Sequence, residues 1–138
     1  MSKTKLVFLF FALGFMNVFA NDINLTLRIT GVSVGAGKVY VVIYSNENDY
    51  KNNTWFLAFP LESVNTSLSH NFTLPDGEYV FALFQDLNDN VQVDTNILGL
   101  PKEPVGMSNY SGRGLPGNFD RLKVPVHNNG TSVTINLR

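Results

Sequence analysis

From Ile23 to Leu137 the chain alternates apolar and polar residues in short runs, the pattern of strands with one buried face. Ile23, Leu25, Leu27 and Ile29 fall on one side, and Asn24, Thr26 and Arg28 on the other. Val32 to Gly37 turns the chain. Lys38 to Ser45 is apolar on both faces (Val39, Tyr40, Val41, Val42, Ile43, Tyr44), as suits a central strand. Asn46 to Asn53 is polar and reads as a loop. Trp55 to Phe59 is apolar and stops at Pro60, and it fits either a short strand or a helical turn.

The second half repeats the pattern. Leu68, His70, Phe72 and Leu74 alternate with polar residues, and Pro75-Asp76-Gly77 is a strong turn signal. Glu78 to Gln85 follows, with Tyr79, Phe81 and Leu83 opposite Val80, Ala82 and Phe84. These two runs predict a hairpin. Gly99 to Phe119 is rich in Gly and Pro, a long loop of the kind that is usually functional. Arg121 to Val126 predicts a strand, His127 to Gly130 a turn and Thr131 to Leu137 a last strand. About seven strands without a long amphipathic helix imply an all-β fold, an antiparallel β-sandwich.

The N-terminus lies outside this pattern. Lys3 and Lys5 precede an apolar run from Leu6 to Phe15, and Val18-Phe19-Ala20 supplies small residues before a cut. The run is short for a membrane span, which needs about 20 residues. The expectation is a signal peptide over 1–20, an exported single β-sandwich domain over 21–138 and no membrane span after cleavage; an uncleaved anchor is the alternative. No Cys marks a lipoprotein cut.

Charge narrows the function classes. The formal net charge is −1, and removal of Lys3 and Lys5 makes it −3, so nothing favours a nucleic-acid partner. The absence of cysteine excludes disulfides, thiol catalysis and Cys-ligated zinc. Between Lys51 and Lys102 there is no Lys or Arg, while Glu62, Asp76, Glu78, Asp86, Asp89 and Asp94 fall there. Such a cluster either favours a cation or faces water as separate acids.

Asp86, Asn88, Asn90, Gln92 and Asp94 place oxygen-bearing side chains at alternate positions after a strand. Calcium loops take side-chain oxygens from positions one, three and five, a carbonyl from seven and often water through nine. Two elements depart: Val91 stands where the sixth position is normally Gly, and Ile97 cannot be the bidentate twelfth ligand. Glu103 would serve if the following loop folds back. The expected Ca²⁺ affinity is weak, on the order of 10⁻⁴–10⁻³ M. The competing reading is a series of Asx-turns, in which Asp and Asn bond their own backbone. Lys102, Glu103, Ser108, Asn109, Tyr110 and Arg113 make a second candidate group, either a ligand or partner loop beside the first or a proline-stiffened flap. Catalysis has two thin routes: Ser108 with His70 or His127 and Asp86, or paired carboxylates Asp86 and Asp94 in a hydrolase. No Gly-x-Ser-x-Gly elbow is present.

Several stretches carry a resemblance: Leu74 to Tyr79; Phe84 to Asn90; Asp94 to Asn109, with Pro101-Lys102-Glu103-Pro104 the most specific; and Pro116 to Phe119. Together they resemble exported bacterial proteins of the domain of unknown function 2141. The resemblance implies a transthyretin-like or immunoglobulin-like sandwich in the cell envelope, periplasmic or extracellular, and brings no activity with it. Val91 departs from it where Gly is usual, and Val105 where an aromatic or large residue is usual. The six Asn-x-Ser/Thr matches, at Asn24, Asn52, Asn65, Asn71, Asn109 and Asn129, mean glycans only in a eukaryotic pathway, so a bacterial chain makes them chance. The expectation is a non-catalytic envelope module that binds a ligand or protein through its Asp86–Asp94 and Gly99–Phe119 end. The alternatives are a small envelope hydrolase and a purely structural envelope protein.

Overall fold

A computed structural model describes residues 21–138. The expected signal segment, Met1 to Ala20, lies outside the described residues. Eight strands form two facing sheets: β1 (Asp22–Thr30), β2 (Val39–Tyr44), β3 (Leu57–Leu61), β4 (Ser67–Pro75), β5 (Gly77–Gln85), β6 (Val105–Met107), β7 (Val124–Val126) and β8 (Thr131–Asn136). Two short helices, α1 (Glu47–Asn52) and α2 (Phe119–Leu122), complete the described elements. One sheet runs β4-β1-β8 and the other β3-β2-β5-β6, with β7 also on β5. The arrangement is all-β and sandwich-like.

Alternation places the core as the sequence implies. Ile23, Leu25, Leu27 and Ile29 of β1 meet Val39, Val41 and Ile43 of β2 and Phe81 and Leu83 of β5, all buried. The opposite face of β2 is apolar for its own reason. Val42 and Tyr44 pack with Val80, Phe119, Leu122 and Tyr50 in a second cluster under the two helices. The central position of β2, between β3 and β5, follows from that two-sided burial.

Several expectations need correction. The Ser67–Leu74 and Glu78–Gln85 runs are strands but not a hairpin: β4 pairs with β1 and β5 with β2, so the chain changes sheets at Asp76. Alternation reports which face is buried; it does not report which neighbour supplies the hydrogen bonds. Leu74 and Tyr79 enter the core from opposite layers, and the Tyr79 hydroxyl donates to the Pro75 carbonyl at 2.7 Å across the turn. The pairing is not purely antiparallel, because β8 runs parallel to β1. Pro60 sits inside β3 rather than ending it; an edge strand tolerates the missing N–H. Asn46 to Asn53 contains α1, capped by Asn46 Oδ1 accepting from Asp49 N at 2.9 Å. Arg121 to Val126 divides, its first residues belonging to α2 and its last three to β7. Gly99 to Phe119 contains β6.

The two flanks of the sandwich differ. On one, Val105 N donates to Arg138 O and Arg138 N to Val105 O, both at 3.0 Å, which joins the sheets. Gly106 permits that approach: a Cβ there would stand 2.7 Å from Ile135 Cγ2 and 2.8 Å from the Asn136 carbonyl oxygen. On the other flank β3 and β4 are both edges. Phe59, His70 and Phe72 cluster between them, with ring centroids 5.1 Å and 5.3 Å from Phe59. Among the described residues no further element covers that flank.

Candidate functional site

The segment after β5 is built around two buried carboxylates. Asp86 is 1 % exposed and Glu103 5 %. Asp86 Oδ1 accepts from Asn90 N at 3.2 Å and Oδ2 from Val91 N at 2.7 Å, so the first residue of the loop folds the next five around itself. Glu103 Oε1 accepts from Leu87 N at 3.0 Å and Oε2 from Asp94 N at 3.2 Å, tying the two ends of the loop together. Lys102 adds a main-chain bond to the Asp94 carbonyl at 2.7 Å. Carboxylates that take backbone N–H groups satisfy the donors a tight loop would otherwise leave unpaired.

The base of the loop is fixed as firmly. Asp86 N donates to Lys38 O at 2.9 Å, and Gly37 lies so close that a Cβ there would fall 1.8 Å from the Asp86 carbonyl oxygen. The buried Gln85 side chain accepts from Ser33 N at 2.9 Å and donates to Ser33 O at 2.6 Å. These contacts tie the 31–37 turn to the start of the 86–94 loop.

The five predicted ion ligands are not equivalent. The Asn88 and Asn90 side-chain amides both donate to the Asp94 carboxylate, Asn90 at 3.0 Å. Asn90 Oδ1 accepts from Gln92 N at 3.0 Å, the bond of an Asx-turn. Gln92 takes part through its main chain. Glu103 does fold back, toward backbone N–H groups. Val91 holds φ +57, the left-handed conformation that Gly adopts without strain and a β-branched residue does not. Among the described residues no three His, Asp or Glu side chains stand as a metal-holding group.

The second candidate group does not assemble with the first. Lys102 and Glu103 stand at the loop, but β6 then carries the chain away along β5. Ser108 N bonds Phe81 O, five residues back along the strand from Asp86, about 16 Å at the usual strand rise. Ser108 is buried, its Oγ accepting from Phe81 N at 3.1 Å and donating to Leu122 O at 2.7 Å. Asn109 donates to Lys123 O at 2.8 Å, and the Tyr110 hydroxyl donates to Gly114 O. Arg113 is exposed in this separate region. One combined loop end, as expected from sequence, is thus two regions.

The residues of the drawn triad are likewise dispersed. His70 is packed against Phe59 and Phe72, His127 Nδ1 pairs with Asp76 Oδ1 at 3.0 Å, and Ser108 bonds only the groups just named. Each oxygen of Asp86 accepts from a backbone amide. The shifted ionisations fall elsewhere. Hydrogen bonds that Lys123 donates to Glu78 and then Asp120 raise its pKa. Burial, and secondarily a neighbouring tyrosine or carboxylate, raises Tyr44, Tyr50 and Tyr79.

Sequence reasoning looked to polar ligands and missed the apolar tip. Leu87, Val91, Val93, Ile97, Leu98 and Leu100 are all exposed, Ile97 completely. Their backbone is ordered by Asn96, whose Oδ1 accepts from Leu98 N at 2.9 Å and Leu100 N at 3.1 Å. Asn96 also exchanges main-chain bonds with Leu100 and Gly99. The available signal was a run of large apolar residues inside an Asn, Asp, Gly and Pro-rich segment with no strand or helix period.

Residues 27–134 match the family described as "Uncharacterized protein conserved in bacteria (DUF2141)", and the chain belongs to that family. No curated protein and no solved structure matches it. No helix among the described residues is long and apolar enough to cross a membrane.

Proposed function

We propose that this member of the family is a non-catalytic binding module of the cell envelope, exported by its N-terminal segment, that engages a partner through the 87–100 loop. The sandwich-like scaffold supports a transthyretin-like or immunoglobulin-like reading, in which rigid sheets present loops for recognition. The observation that carries the proposal is the combination of six exposed large apolar side chains with a backbone fixed by Asp86, Glu103 and Asn96. Exposed apolar side chains gathered on one segment mark an interaction site more than singly scattered ones do. A rigid segment loses little conformational entropy on binding.

The test is a photoreactive residue at Leu98 in the exporting cell. One discrete adduct, lost on Ile97→Ser, supports the reading. Adducts no different from those of a photoreactive residue at exposed Asn128 overturn it.

A weak calcium site in the same loop is the second reading. Two observations favour it: Asn88, Asn90 and Asp94 converge, and Val91 holds the left-handed turn such loops need at their sixth position. Asp94, the Asn88 amide turned to offer oxygen, the second lone pair of Asn90 Oδ1 and the Gln92 carbonyl would hold the ion; Asp86 retains lone pairs beyond its two N–H bonds. Millimolar Ca²⁺ that raises Tm in the parent and not in Asp94→Ala supports this reading. No heat of binding and no change in Tm removes it.

A further inference from the structure

The open flank of the sandwich ends in an unusual strand. β4 is an edge of nine residues, Ser67–Pro75. Natural edges are blunted by short length, proline, bulges, inward charges or covering elements. Three others here follow that rule. β3 has five residues and contains Pro60, β7 has three and contains Pro125, and β6 has three and is joined to Arg138. β8 is, like β4, uncharged and free of proline, but it has six residues and its end is covered by that same junction. β4 carries no Lys, Arg, Asp or Glu and no proline before its last residue.

The hydrogen-bonding sides of β4 can be assigned. Asn24 O accepts from Gly130 N and Thr30 O from Leu137 N, so the even-numbered residues of β1 face β8. Main-chain groups of successive strand residues point to opposite sides. Ile23, Leu25, Leu27 and Ile29 therefore bond β4, through their partners Leu74, Phe72, His70 and Leu68. The N–H and C=O groups of Ser67, Ser69, Asn71 and Thr73 consequently point away from the sheet, into solvent. Inside that edge lie the half-buried Leu68 and Phe72 with Phe59 of β3, beside a shallow cleft whose lining includes Leu61, Glu62, Val64, Leu68 and His70.

We propose that β4 is a dimerisation edge, and that its occupant is β4 of a second copy of this chain, paired antiparallel about a two-fold axis at Asn71. That register sets Asn71 opposite the second copy's Asn71 and Ser69 opposite its Thr73, and each outward main-chain group in the pairs gains a partner. β4 has no Lys, Arg, Asp or Glu, so its own side chains set no like charges against each other, and small hydroxyl and amide side chains face their equivalents across the junction. One operation covers the apolar flank of both molecules. The two-fold uses the same edge twice, so this pairing closes at a dimer.

The chain at about 100 µM, enough to populate a dimer of micromolar Kd, is examined by sedimentation and native mass spectrometry. A dimer is expected. Asn71→Lys and Asn71→Asp each lose it, and mixing the two variants restores a heterodimer, because the two positions face each other. Amide exchange on the unmodified chain gives an independent readout. Raising the concentration should protect Ser69, Asn71 and Thr73 and leave Leu68, His70 and Phe72 unchanged. A monomer throughout, a dimer that survives both single variants, or protection without that alternation overturns the proposal.

Discussion

Asp86 Oδ2 accepts a 2.7 Å hydrogen bond from the amide of Val91, and Val91 makes that bond from a left-handed backbone at φ +57. The buried carboxylate holds a β-branched residue where sterics oppose it. Strain of this type costs on the order of 1–3 kcal/mol. Gly would relieve it and lose about 0.5–1 kcal/mol of chain entropy. Val91→Gly is expected to stabilise the protein by about 1 kcal/mol on these terms, read as a Tm a few degrees higher.

Removing either buried carboxylate leaves two backbone N–H groups unpaired. Asp86→Ala frees those of Asn90 and Val91, and Glu103→Ala those of Leu87 and Asp94. Each should cost about 1–3 kcal/mol in urea denaturation. The two act on one loop, so the double variant should lose less than the sum. Strict additivity would show that the loop halves are independent.

Gly37 controls the same loop from the neighbouring turn. Its φ is +89, and an added Cβ would enter the Asp86 carbonyl at 1.8 Å. Gly37→Ala should destabilise by about 3 kcal/mol or more, as backbone strain adds to overlap. Amide exchange should quicken at Asn90 and Val91 before it does in β1.

Alkaline pH should unfold the protein through four groups. Folding raises Tyr44, Tyr50 and Tyr79, mainly by burial, above the ordinary tyrosine value of 10.0, and Lys123 above 10.5, mainly by its hydrogen bonds to Glu78 and Asp120. A group with a raised folded pKa holds its proton more tightly in the native state. Its stabilisation is complete below the unfolded pKa and disappears as pH rises through the folded one. Stability should be flat in this respect to about pH 10 and fall above it. Tyr44→Phe removes one of these ionisations and should make the fall shallower in pH-dependent urea melts.

Alternation along the chain determined the strands and their buried faces, because side-chain direction in a strand repeats every two residues whatever its neighbours. Ile23 to Ile29 and Val39 to Ile43 were legible on that basis, and so was Asp86 as the start of a turn-rich loop. Sheet membership was not. β4 and β5 are joined through Asp76 yet lie in different layers, a choice made by β1 and β2, which are remote in sequence. The same limit hid the division of Ser108 from Glu103 by β6 and the double use of Glu103 under the loop. The exposure of Ile97 and Leu98 also belongs to the tertiary structure: a large apolar residue reads as core until the packed sheets show no room for it. Local sterics and periodicity act over a few residues and are written in the chain. Partnership across sheets depends on which distant surfaces fill one another, and only the assembled fold decides that.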